Sequence, residues 1–187
     1  IKKLRGMFAI CIWDKLNDQI ILARDRLGQK PIYYFKNHSM LIFSSELLPI
    51  KIGLNIELSV DPDGLNNYLN LDYIPAPFSI YEGVKKIPSS NMLICKNKKV
   101  KIKKYWDLNN SHLRDEYKLF NEEYFVQNLK ILLTESVKMR MMSEVPLGAF
   151  LSGGIDSSGI VAMMAGHSEK PINTFSIGLK NNVNSEL

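Results

Sequence analysis

The residues of this chain best suited to chemistry are Ser152, Gly153, Gly154, Ile155, Asp156, Ser157 and Ser158, which follow the apolar run Gly148-Ala149-Phe150-Leu151. Adjacent glycines allow backbone conformations closed to other residues and let a ligand approach with no side chain in the way. The hydroxyls of Ser152, Ser157 and Ser158 add donors beside the free N–H groups of a first helical turn. With the positive end of a helix dipole, about half an elementary charge, they form an anion site suited to pyrophosphate. No lysine follows the glycines as in a Walker A loop, and the spaced glycines of a dinucleotide fingerprint are missing. The loop carries an acid instead, Asp156. A carboxylate facing polyphosphate is tolerable mainly with a divalent cation between them, which makes Asp156 the candidate magnesium ligand. The plainer alternative is a Gly/Ser-rich turn in which Asp156 and Ser157 only cap a helix.

The elements around the loop must hold it at the end of a strand. A helix is expected from Ser157 to Ala165, with Gly166 as a left-handed stop and Pro171 barring continuation. A second strand is expected over Ile172 to Gly178, so Val145 to Gly178 reads as one strand-helix-strand unit. Such units build parallel sheets with right-handed crossovers and bind ligands at the carboxyl ends of their strands, where both the Ser152 loop and Ile177 lie. Upstream, Phe125, Leu129, Leu132, Leu133 and Val137 recur at helical spacing and are expected to be core. Asn121 is the expected N-cap, with Glu122 and Glu123 at the positive end of the dipole.

The run from Ser152 to Ser158 resembles the signature of the ATP pyrophosphatases. With Val145-Pro146-Leu147-Gly148 before it and Phe175-Ser176-Ile177-Gly178-Leu179 after it, the chain is most similar to the glutamine-hydrolysing asparagine synthetase family. A second block resembles that family's glutaminase domain: Gly6-Met7-Phe8-Ala9, Trp13-Asp14, Arg24 to Tyr34, and Phe43-Ser44-Ser45-Glu46. The resemblance implies an α+β part of antiparallel sheets over residues 1–108, a type 2 glutamine amidotransferase domain of the N-terminal-nucleophile class. It implies a linker over 109–120 and, over 121–187, an α/β parallel-sheet ATP-pyrophosphatase part, both domains incomplete. It implies aspartate, glutamine and ATP as substrates, Mg2+ on Asp156, and an aspartyl-adenylate opened by ammonia with release of AMP and pyrophosphate. The backbones of Leu151 and Ile177 would hold the adenine, and Ser152, Gly153, Gly154, Ile155, Asp156, Ser157 and Ser158 the phosphates. A cytoplasmic homodimer with no nucleic-acid or membrane partner is expected. An acceptor other than aspartate, or an inactive fragment, stays open.

The family's nucleophile is a cysteine at the mature amino terminus, whereas this chain begins with Ile1. Cys11, between Ile10 and Ile12 in a strand-like run, is expected to be a buried inert thiol. No glutaminase catalytic residue is expected here, and the second pyrophosphate loop would follow Leu187, so the expectation is an internal fragment.

Composition narrows the alternatives. Two cysteines in 187 residues give no disulfide framework, and 45% hydrophobic content supports a real core. Lys2, Lys3 and Arg5 before Met7 to Trp13 imitate a secretion signal, but the apolar run is short and stops at Asp14. The net charge of +5 concentrates in eight lysines from Lys85 to Lys104. They surround an expected hairpin, with Met92 and Ile94 facing Val100 and Ile102, Asn97 in the turn, and Lys101 and Lys103 opposite. Lysines there guard a sheet edge, whereas a nucleic-acid surface would interleave arginine and aromatic residues. A tRNA-modifying pyrophosphatase would share the loop and could use the lysine run, but the glutaminase-like block argues against it. Residues 7 to 47 read as consecutive antiparallel strands, Arg24-Asp25-Arg26 as a loop pin, and Asp61-Pro62-Asp63 as the start of a short helix. His38, His112 and His167 lack metal-ligand spacing.

Overall fold

The computed structural model describes residues 1–108 and 117–178. The chain divides into two compact units, Ile1–Asn109 and Asn110–Leu187. Most of the expected linker, residues 109–116 with His112 among them, lies outside the described residues.

The first unit is α+β, and both of its sheets are antiparallel. β1 (Ala9–Asp14), β2 (Gln19–Arg24), β6 (Asn91–Lys96) and β7 (Lys99–Lys104) form a sheet in the order β1-β2-β6-β7. β3 (Tyr33–Lys36), β4 (Leu41–Ser44) and β5 (Val84–Lys86) form a second sheet in the order β4-β3-β5. Leu22 of β2, Leu93 of β6 and Tyr34 of β3 meet Ile32 and Ile87 in one buried cluster, so the sheets share a core. Alternation produces this arrangement, since every second residue of a strand faces one side.

Two short helices, α1 (Leu47–Leu54) and α2 (Pro62–Leu71), complete the unit. Asp61 opens α2 as expected, its carboxylate accepting from the Gly64 N–H at 2.9 Å. Helix α1 is hidden in the sequence because Pro49 and Gly53 read as breakers. Pro49 stands in the first turn, where a missing N–H costs nothing.

The lysine-rich hairpin forms, but one residue out of phase with expectation. Leu93 pairs with Ile102 and Cys95 with Val100, while Met92 and Ile94 oppose Lys103 and Lys101. Leu93, fully buried, therefore takes the core face, and Met92 and Ile94 share the lysine face. An apolar residue at every position from Met92 to Cys95 removes the contrast that would have fixed the phase. Asn97 and Lys98 both have positive φ, 49° and 60°, as the two-residue turn of a tight hairpin requires. β7 is an edge of its sheet, where lysines discourage pairing with another chain.

In the second unit, α3 (Glu122–Arg140) starts at Asn121, whose side chain accepts from the Tyr124 N–H at 3.0 Å, with Glu122 and Glu123 in its first turn. β8 (Gly148–Phe150) leads through a loop into α4 (Ile155–Ala165), and β9 (Asn173–Phe175) pairs parallel with β8. The second strand is thus three residues long rather than the seven expected over Ile172 to Gly178. Gly166 ends α4 in the right-handed region (φ −66°, ψ −14°), not the left-handed one, with its N–H bonded to the Ala162 carbonyl.

The apolar stripe of α3 departs most from expectation. Val137 is buried, but Phe125, Leu129 and Leu132 are 42%, 57% and 61% exposed. A 19-residue helix is about 28 Å long, and α4 meets it near its carboxyl end, where Val137 and Met141 share a cavity of about 420 Å³ with Leu147, Ile160 and Met164. Toward its amino end, Tyr117 and Phe120 meet the rings of Tyr124 and Phe125, and Leu129 and Leu132 stay exposed. No helix among them is long and apolar enough to cross a membrane.

Candidate functional site

The loop between β8 and α4 brings residues 151 to 158 to the carboxyl end of a parallel strand, and Ile177 lies just past the end of the neighbouring strand. Two glycines make this geometry attainable. A Cβ on Gly148 would stand 2.6 Å from the Phe175 ring and 3.0 Å from the Asn173 carbonyl oxygen, so only glycine lets β9 approach so closely. Gly153 has φ +94°, a conformation that side chains rarely adopt, and this turns the chain from strand into helix. Gly154 needs no such freedom: its φ is −71°, and it serves as N-cap of α4.

The start of α4 has no side-chain cap. Helix bonding begins with the Ser158 N–H donating to the Gly154 carbonyl at 3.1 Å, which leaves the N–H groups of residues 155 to 157 outside the helix's own ladder. Asp156 and Ser157 therefore do not cap this helix, and its dipole end stays open to an anion. Helix α4 also begins two residues earlier than expected, placing Asp156 within its first turn. Ser152, Gly153, Ile155, Asp156 and Ser158 are exposed, and Leu151, Gly154 and Ser157 half-buried.

The serines brace the loop. The Ser157 hydroxyl donates to the Gly154 carbonyl at 3.1 Å and, its one hydrogen so used, accepts from the Ser152 N–H at 3.3 Å and from the Ser152 hydroxyl at 3.0 Å. On the other side, Leu151 is fastened to β9: its N–H donates to the Phe175 carbonyl at 2.9 Å, and its carbonyl accepts from the Ser176 hydroxyl at 2.6 Å. Sequence reasoning did not single out Ser176 or the close approach at Gly148. A hydroxyl directly after Phe175 was the available clue to the first, and the clash at Gly148 is set by strand pairing that only the fold specifies.

Among the described residues no group of three or more His, Cys, Asp or Glu side chains could hold an ion. A single exposed carboxylate beside hydroxyls and open N–H groups fits a magnesium ion whose other ligands are substrate phosphates and water.

In the first unit, Arg24-Asp25-Arg26 forms a structural knot. Asp25 is 1% exposed, and its carboxylate accepts from the N–H groups of Gln29 and Lys30 at 2.9 Å, Leu27 at 3.2 Å and Phe8 at 3.4 Å. Burial pushes its pKa up, but these hydrogen bonds outweigh burial and hold it below the ordinary carboxylate value. Arg24 donates to the carbonyls of Lys30, Ile87 and Gly28, and Tyr105 reaches the Arg24 carbonyl at 2.7 Å. Every polar group of this pair is spent on backbone, which leaves it no role in chemistry.

Cys11 is exposed on edge strand β1, not buried as expected. Ala9 packs against the core, whereas Cys11, Ile12 and Trp13 are all exposed, and no strand lies beyond β1 among the described residues. Partial desolvation nonetheless raises its thiol pKa, which disfavours the reactive thiolate.

Comparison with known proteins agrees with this division. The model of the glutamine amidotransferase domain matches residues 1–106, and that of asparagine synthase matches residues 128–187. A Methanocaldococcus jannaschii protein named provisionally as asparagine synthetase [glutamine-hydrolyzing] 2 is 40% identical, over 96% of this chain and 35% of its own length. Asparagine synthetase [glutamine-hydrolyzing] 3 of Bacillus subtilis is 34% identical over 97% of the chain and 30% of its own. Amidase chry2 of Gibberella zeae is 32% identical over 88% of the chain and 24% of its own. The chain spans about a third of the length of the first two relatives and less of the amidase. With one model covering more than half of it and the second following in order, the chain belongs to the glutamine amidotransferase family, in the branch that joins this domain to an asparagine synthase domain.

Proposed function

We propose that this chain belongs to an enzyme that converts aspartate to asparagine, consuming ATP and drawing ammonia from glutamine. Residues 1–108 are its glutaminase-type part, 109–120 the linker, and 121–187 the parallel-sheet ATP-pyrophosphatase part. The observation that carries the reading is the uncapped start of α4 directly behind Gly153, at the carboxyl end of a parallel strand. ATP would lie with its outer phosphates against the open N–H groups of Ile155, Asp156 and Ser157 and the hydroxyl of Ser158, over the turn at Gly153 and Gly154 that the side chains of Ser152 and Ser157 brace. Its adenine would lie against the backbones of Leu151 and Ile177. Asp156 would hold a magnesium ion, which when bound neutralises charge on the phosphates.

The aspartate side-chain carboxylate attacks the α phosphorus, the bond to the bridging oxygen breaks, and its electron pair leaves on pyrophosphate. Donors fixed in the loop meet that growing charge without reorganising, which lowers the barrier. Ammonia then adds to the acyl carbon of the aspartyl-adenylate, a proton is lost, and AMP departs. The same reading makes the enzyme cytoplasmic and is compatible with a homodimer, the oligomeric state staying open.

The test is Asp156→Asn in the complete gene product, with AMP formation measured against magnesium concentration. A loss of at least about tenfold, equal to about 1.4 kcal/mol of transition-state stabilisation, is expected. Unchanged metal dependence would refute the assignment of Asp156. A second reading, a different carboxylate acceptor with the same ATP chemistry, draws support from the likeness to amidase chry2. AMP formation stimulated by aspartate decides for the first reading.

A further inference from the structure

The parallel ladder between β8 and β9 ends on a side chain. Its last backbone rung runs from the Leu151 N–H to the Phe175 carbonyl at 2.9 Å. In a continuing parallel ladder the next rung would bring the Ile177 N–H to the Leu151 carbonyl. That carbonyl accepts from the Ser176 hydroxyl instead, at 2.6 Å, and β9 ends at Phe175. The hydroxyl thus replaces one rung. It keeps the two strand ends together at the residue that opens the loop, while Ile177, 80% exposed, lies beyond the end of β9.

We propose that Ser176 is a positioning residue for nucleotide selection, an inference that rests on the ATP reading above. By holding the Leu151 carbonyl at the point where the next rung would form, the hydroxyl keeps the Ile177 N–H out of the ladder and available to the base, beside the Ile177 carbonyl. An adenine offers a ring-nitrogen acceptor and an amino donor to such a pair, whereas hypoxanthine offers a ring N–H and a carbonyl. The arrangement therefore favours ATP over inosine triphosphate. Without the hydroxyl, the Leu151 carbonyl is free to take the Ile177 N–H, the base loses a partner, and the preference weakens.

The experiment compares the complete gene product with its Ser176→Ala and Ser176→Thr variants, measuring AMP formation from ATP and from inosine triphosphate. Ser176→Ala should raise the KM for ATP about threefold to tenfold, the effect of one hydrogen bond, with kcat nearly unchanged. Its preference for ATP over inosine triphosphate should fall by a similar factor. Ser176→Thr, which keeps a hydroxyl, should restore both. A purely structural hydroxyl would change both nucleotides alike, so equal KM shifts for the two, or none, would overturn the proposal while leaving the ATP reading intact. Release of ADP instead of AMP by the unmutated protein would overturn both.

Discussion

Replacing Asp25 tests whether the charge cluster of the first unit is a pin or a reagent. In Asp25→Ala, four N–H groups lose their acceptor in a position that is 1% exposed. The two bonds at 2.9 Å dominate. At about 1.5–2 kcal/mol for each bond to a buried carboxylate, their loss costs about 3–4 kcal/mol, a large part of a domain's usual margin. Asp25→Asn keeps one oxygen but turns an amide N–H toward other donors, so about half that cost is expected. In the 187-residue chain both tryptophans, Trp13 and Trp106, lie in this unit, so urea unfolding of that chain followed by tryptophan fluorescence reports on the first unit. With a slope near 1.5 kcal/mol per molar, the Asp25→Ala midpoint should drop by about 2 M. The carboxylate's depressed pKa adds a sign: its contribution is complete above the unfolded value of about 3.9 and is lost as pH falls through the lower folded value. The gap between native and variant should therefore close only well below pH 4. A midpoint change under about 0.5 M at pH 7, or a gap that closes on raising the pH, would refute the reasoning.

Two further substitutions probe the second unit. Gly148→Ala forces a methyl into the Phe175 ring and the Asn173 carbonyl and should destabilise the β8–β9 pairing by about 1–3 kcal/mol, read as faster amide exchange at Leu151; exchange at the native rate would contradict the close approach. Asn121→Ala removes the cap of α3 and should cost about 1 kcal/mol, measured by the loss of helical circular dichroism on heating; an unshifted melt would show that α3 does not depend on its cap.

The sequence was most informative where local chemistry decides structure. Asn121 and Asp61 cap helices because a short polar side chain reaches back to N–H groups three residues on, and no distant contact is needed. The glycine-rich turn was legible for the same reason, although only Gly153 uses its left-handed freedom. Properties set by partners were not legible. The face of β6 that meets the core is chosen by register with β2 and β7, and a run of four apolar residues carries no phase. Cys11 reads as buried between isoleucines, but β1 is a sheet edge. The exposure of Phe125, Leu129 and Leu132 likewise follows from which elements reach them, a matter no helical period encodes. Ser176 needed the pairing of two strands 25 residues apart before its hydroxyl acquired a meaning.

The central claim is that the loop from Ser152 to Ser158 grips the outer phosphates of ATP. The most direct measurement is a crystal structure of the complete gene product with a nonhydrolysable ATP analogue and magnesium. The β and γ phosphates are expected within hydrogen-bond distance of the N–H groups at the start of α4, with the metal bridging them to Asp156. Ordered nucleotide bound elsewhere, with that helix start facing only solvent, would contradict the account.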